Sequence, residues 1–179
     1  MGAIMTNDEK IGEHLRFMQL AVGAIPSPFD SYMVIRGVKT LHLRMRTHAN
    51  SGLVIARFLE TNPRVEKVLY PELESHPQFA IHKSQTSGMS GIISFYLKGG
   101  LAEAKAFLAN LKIFLLAESL GGCDSLVELP AIMTHASVPA AERAILGIHD
   151  NLIRLSVGIE EVEDLLRDLD NALKAAIKL

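Results

Sequence analysis

The sequence predicts an α+β domain, a small and mostly antiparallel sheet packed against helices, preceded by helical chain with no sheet of its own. Three observations carry that expectation. From residue 64 onward, short apolar runs bounded by Gly, Pro and Asn alternate with helical stretches. Residues 159–176 form a marked apolar stripe at helical spacing. The first 45 residues offer only one strand-like piece and helices.

MGAIM (1–5) reads as the end of a buried strand, stopped by the polar TNDE. A helix follows from Asp8, with Ile11, Leu15, Met18 and Val22 on one face and capping residues in Thr6–Glu9. GAIPSPFDSY breaks it, and Pro28 suits the first position of the next helix. That helix is interrupted near Gly37. A long one then resumes, with Leu41, Met45, Ala49, Leu53 and Ala56 expected on its buried face. Beyond Pro63 the pattern becomes that of a sheet. RVEKVLYP, SGMSGIISFYL (87–97), KIFLLA (112–117) and NLIRLSV (151–157) read as strands. Leu101–Leu111 reads as a helix, LPAIMTHASVP as a loop and AAERAIL as a short helix. In the last helix Ile159, Val162, Leu165, Leu166, Leu169, Leu173 and Ala176 make the stripe. Its acids lie early and Lys174 and Lys178 late, which complements the helix dipole. The expected boundary separates residues 1–45 from 46–179.

A chain of 179 residues, 49% of them apolar, is enough for one core. IFLLA is far short of the roughly 18 apolar residues of a membrane span. The start has no basic segment leading into a long apolar run, so it does not read as a secretory signal. The single Cys123 excludes an internal disulfide and suits a reducing cytoplasm. A formal charge of −2 with scattered basic residues gives no nucleic-acid surface.

Arg154 is the residue that asks for an explanation. It stands among Leu152, Ile153, Leu155 and Val157 in an apolar strand, where an unpaired guanidinium costs several kcal/mol. One reading is an edge-strand arginine with a packed stem and a wet head. The other is a fixed fork for a carboxylate. Glu118 and Ser119, ahead of Gly121-Gly122, are open to two readings as well: a solvated strand end, or the rim of a polar pocket. The seven histidines show no metal-ligand spacing, and His48 and His82 have no partner evident from sequence. SGMSG (87–91) lacks the Lys-Ser/Thr of a P-loop, and Cys123 has no base in a triad signature.

Six motifs then occur in order: VGAIPSPFDSY, RGVKTLHLRM, HPQ, AESLGG, ELPAIMTHASV and LIRLSVGIE. Together they closely resemble the γ-family of transsulfuration enzymes that use pyridoxal phosphate, over essentially the whole chain. The resemblance implies the C-terminal domain of a fold-type I enzyme, with residues 1–45 as the end of the large cofactor-binding domain. It gives Arg154 to the substrate α-carboxylate, Ser119 to the cofactor and substrate pocket, and Thr134 to the substrate end. It makes Glu118 the position that separates family members, here reading the distal ammonium of a long diamino acid. It implies a cytoplasmic carbon–sulfur lyase that splits cystathionine to cysteine, 2-oxobutanoate and ammonia, as a homotetramer. A γ-synthase of the same family and a non-catalytic module docking on full-length subunits are the alternatives. The family's Schiff-base lysine is not matched between Met1 and Leu179, and Lys39 belongs to another motif. The lysine is expected upstream of Met1, so no catalytic residue of that kind and no metal site are expected here, and the chain alone is expected to be inactive.

Overall fold

Local signals govern the first 42 residues. Asp8 accepts a hydrogen bond from the Ile11 N–H at 3.0 Å and opens α1 (Glu9–Val22), which Gly23 closes at φ 73°. Ser27 accepts from Asp30 N–H at 3.0 Å and opens α2 (Pro28–Val38), with proline in its first turn. No residue of either helix is buried. The computed structural model describes residues 1–179, which divide into two compact units, Met1–His42 and Leu43–Leu179.

The expected strand at 1–5 does not form. Residues 1–6 have no regular structure, and Met1, Ile4 and Met5 are 67%, 76% and 86% exposed. A strand exists through its neighbour's hydrogen bonds, and no strand lies beside this segment to supply them.

The break after Val38 falls where the sequence placed it, and α3 (Leu41–Thr61) follows. Its buried face is rotated from the expected one. His48, Ser51, Gly52, Ile55, Ala56 and Leu59 are buried, whereas Leu41 and Met45 are exposed. Small and polar residues occupy part of this face because the neighbours come close. A Cβ on Gly52 would stand 2.9 Å from Tyr70 Oη, which itself donates to the Ser90 carbonyl at 2.9 Å. His48, buried, places Nδ1 2.7 Å from the Val157 carbonyl. Burial, and secondarily Glu72, pushes the Tyr70 hydroxyl well above its ordinary pKa, so it remains a donor.

One mixed sheet organises the second unit. Its strands are β1 (Val65–Leu69), β2 (Ile92–Leu97), β3 (Leu115–Leu116), β4 (Leu126–Glu128) and β5 (Leu152–Ser156). They lie in the order β1-β2-β5-β4-β3, all neighbours antiparallel except β3 and β4. Ile93, Phe95 and Leu97 of β2 and Ile153 and Leu155 of β5 are fully buried on one face. Beneath them Ala104 and Phe107 of α5 (Leu101–Asn110) meet Leu165, Leu169 and Leu173 of α7 (Val162–Ala176). Phe95 and Phe107 meet edge to face with centroids 6.0 Å apart. Each such side chain contributes about 1.5–3 kcal/mol of burial.

The second unit differs from expectation in three places. The strand expected over 112–117 shrinks to Leu115–Leu116, because buried Asp168 of α7 accepts from the Lys112, Ile113 and Phe114 N–H groups at 2.8–3.3 Å. Those donors are therefore lost to any ladder. β4 forms where no strand was expected, just ahead of the LPAIMTHASVP loop, in which Pro130 opens a single 3-10 turn, Pro130–Ile132. A short helix, α4 (Phe79–Gln85), follows the HPQ motif, and α6 (Ala140–Ile145) precedes β5 as expected.

Candidate functional site

Arg154 lies on the face of β5 opposite Ile153 and Leu155, in a strand flanked on both sides by β2 and β4. It is not an edge residue. The register sets Ser94 of β2 on one side of it and Glu128 of β4 on the other. Directly opposed residues of an antiparallel pair share a face, so the carboxylate and the guanidinium meet across the strands. Arg154 Nη1 lies 2.9 Å from Glu128 Oε1. Its Nη2 donates to the carbonyls of Glu118 at 2.6 Å and Ser119 at 3.2 Å.

Glu128 is 1% exposed, and its Oε2 is buried with no hydrogen-bond partner. Burial pushes this carboxyl above its ordinary pKa, while the Arg154 charge and the Thr134 hydroxyl pull it partway back. Thr134 Oγ1 donates to Glu128 Oε1 across 3.4 Å and lies 2.9 Å from His135 Nδ1.

The loop bearing Glu118 and Ser119 is held from the same strand. Gly121, at φ 77°, donates its N–H to Ser156 Oγ at 2.8 Å. Further along, Ile159 N–H donates to the Cys123 carbonyl at 2.9 Å, and Ser125 donates through both N–H and Oγ to Glu160 at 2.8 Å. Gly158 closes against this loop so tightly that a Cβ would stand 2.2 Å from the Cys123 carbonyl oxygen. Only glycine permits that approach.

Of the residues named from sequence, Glu118 and Ser119 meet the Arg154 guanidinium, and Thr134 is linked to it through Glu128. Glu118 and Ser119 reach it through their backbone carbonyls and are exposed residues, as is Thr134. Glu128 was missed. The signal that could have found it is the pairing of LVE with LIRLS, concealed because β4 has only three residues.

The site is thus a sheet-borne arginine that a carboxylate and two loop carbonyls hold within an α+β fold. Residues 1–174 match the family described as Cys/Met metabolism PLP-dependent enzyme, and the chain belongs to that family. It is 62% identical over 176 residues to the cystathionine gamma-lyase of Mus musculus, 98% of this chain and 44% of that protein. To a putative cystathionine gamma-lyase 2 of Caenorhabditis elegans it is 64% identical over 177 residues, 99% of this chain and 45% of the relative. The human cystathionine gamma-lyase is 58% identical over 176 residues, again 98% and 44%. The chain spans less than half the length of these relatives. Both the family and the fold class expected from the motifs therefore stand. No helix is long and apolar enough to cross a membrane.

Pyridoxal phosphate is the cofactor of this family. Its aldehyde condenses with an amine, and the Arg154 cluster offers a guanidinium, hydroxyls, an imidazole and carboxylates but no such amine. The exposed Ser119 is the residue the resemblance gives to the cofactor.

Proposed function

We propose that the whole protein is a pyridoxal-phosphate-dependent carbon–sulfur lyase that cleaves cystathionine to cysteine, 2-oxobutanoate and ammonia, in the cytoplasm and as a homotetramer. Residues 1–45 are then the end of its cofactor-binding domain, and 46–179 its C-terminal domain. The observation that carries this reading is Arg154, a permanently charged fork held at the centre of a sheet with its loop carbonyls already fixed. The names of the relatives, each over nearly the whole of this chain, supply the substrate class.

In this role Arg154 takes the α-carboxylate and orients the amino acid, the contribution that positioning makes to rate. Ser119 and Thr134 add hydroxyl contacts at the same end. Glu118, whose side chain is free of Arg154, receives the distal ammonium. The test is cystathionine cleavage by the purified holoenzyme, followed by release of 2-oxobutanoate. Glu118→Ala should weaken use of cystathionine more than use of short substrates that lack the second ammonium. Equal losses would remove Glu118 from specificity, and no 2-oxobutanoate from the parent would refute the lyase.

A further inference from the structure

We propose that Glu128 is the positioning residue of this site: its buried carboxylate fixes the Arg154 guanidinium through Nη1, so that the arginine presents one set face to a ligand carboxylate. The inference rests on the carboxylate role proposed for Arg154. Three observations support it. Glu128 and Arg154 are cross-strand partners in register, with Oε1 2.9 Å from Nη1. The other terminal nitrogen is held by the Glu118 and Ser119 carbonyls, so both ends of the fork are fixed and the planar group has one orientation. Third, the arrangement is costly for stability alone. Glu128 is 1% exposed and leaves Oε2 buried and unpartnered, a penalty that an apolar pair of the same volume would avoid. Thr134 sets the carboxylate by donating to the oxygen that faces the arginine. Glu128 therefore touches Arg154 and Thr134, both proposed to meet substrate, and acts through them.

The test compares the parent with Glu128→Gln and Glu128→Ala. In the chain labelled with 15N-arginine, Arg154 should show separate Nη proton signals, because rotation about Nε–Cζ is hindered by bonds at both ends. Glu128→Gln keeps an acceptor oxygen and should retain them; Glu128→Ala should merge them. In the holoenzyme, Glu128→Ala should raise KM for cystathionine roughly tenfold with a smaller change in kcat, and Glu128→Gln should recover most of it. A merely structural role would reduce the folded amount without splitting KM from kcat. If Glu128→Ala does not fold, Glu128→Asp takes its place, since one methylene fewer withdraws the oxygen from Nη1 while keeping the charge. Arg154→Ala separates the two ideas. If it raises KM and the Glu128 variants do not, the positioning role is wrong. If it leaves KM unchanged, the carboxylate reading falls and this inference with it.

Discussion

Residues 1–42 and 43–179 both have well-formed helices, yet only the second unit has an interior. α1 and α2 carry good caps, with Asp8, Gly23 and Ser27 all making their expected hydrogen bonds. Nevertheless Phe17, Leu20, Ile25 and Phe29 are 64–82% exposed. In the second unit α7 lacks a side-chain cap bond, but Leu165, Leu169 and Leu173 are wholly buried. Capping decides where a helix begins and ends; burial decides what it contributes to stability.

Paired substitutions sharpen that contrast. Phe95→Ala, in the closed core, should cost about 3–5 kcal/mol, while Phe17→Ala should stay within about 0.5 kcal/mol. Urea unfolding of the two variants measures the difference. Comparable losses would mean that the first unit has an interior after all. Next in size is Asp168→Ala. It leaves three backbone donors at 112–114 without their acceptor and should cost about 3 kcal/mol in the same unfolding experiment.

A charged pair inside the second unit gives a pH-dependent comparison. Glu72 receives Lys83 Nζ and lies 2.7 Å from His82 Nε2. The Lys83 hydrogen bond, more than any other contact, holds the Glu72 carboxyl below its ordinary value of 4.5. A depressed folded-state value means that the stabilisation is present above 4.5 and is lost as pH falls through the folded value. Glu72→Gln should thus cost about 1.5 kcal/mol near neutral pH. Thermal unfolding of parent and variant should converge in acid, where Glu72 is protonated in both states. The last comparison lies in the first unit. Asp8→Ala should remove about 1 kcal/mol of local helix stability, seen as lost helical circular dichroism, without moving the main unfolding transition.

What the sequence made legible follows the same division. Caps, proline positions and the α7 stripe from Val162 onward are local, and each is found where the residues put it, while Ile159, expected to begin the stripe, lies ahead of the helix and is exposed. Features set by distant neighbours were harder to read. The face of α3 follows the close approach of Tyr70 to Gly52, not the apolar count, so the polar His48 and Ser51 are inside and Leu41 outside. β3 is short because of a carboxylate more than 50 residues away in sequence. At the site, Arg154, Glu118, Ser119 and Thr134 could be named from motifs. Glu128 could not, because its meaning comes from a cross-strand register that three residues of strand do not announce.

Arg154→Lys, measured in the holoenzyme, tests the central claim most directly. Lysine keeps the charge but presents a point donor where the fork is needed, and it cannot hold the Glu118 and Ser119 carbonyls and Glu128 together. The KM for cystathionine should rise roughly a hundredfold, with a lesser fall in kcat from misorientation. A lysine variant with the parent's KM and kcat would contradict the claim and return Arg154 to a structural partner of Glu128.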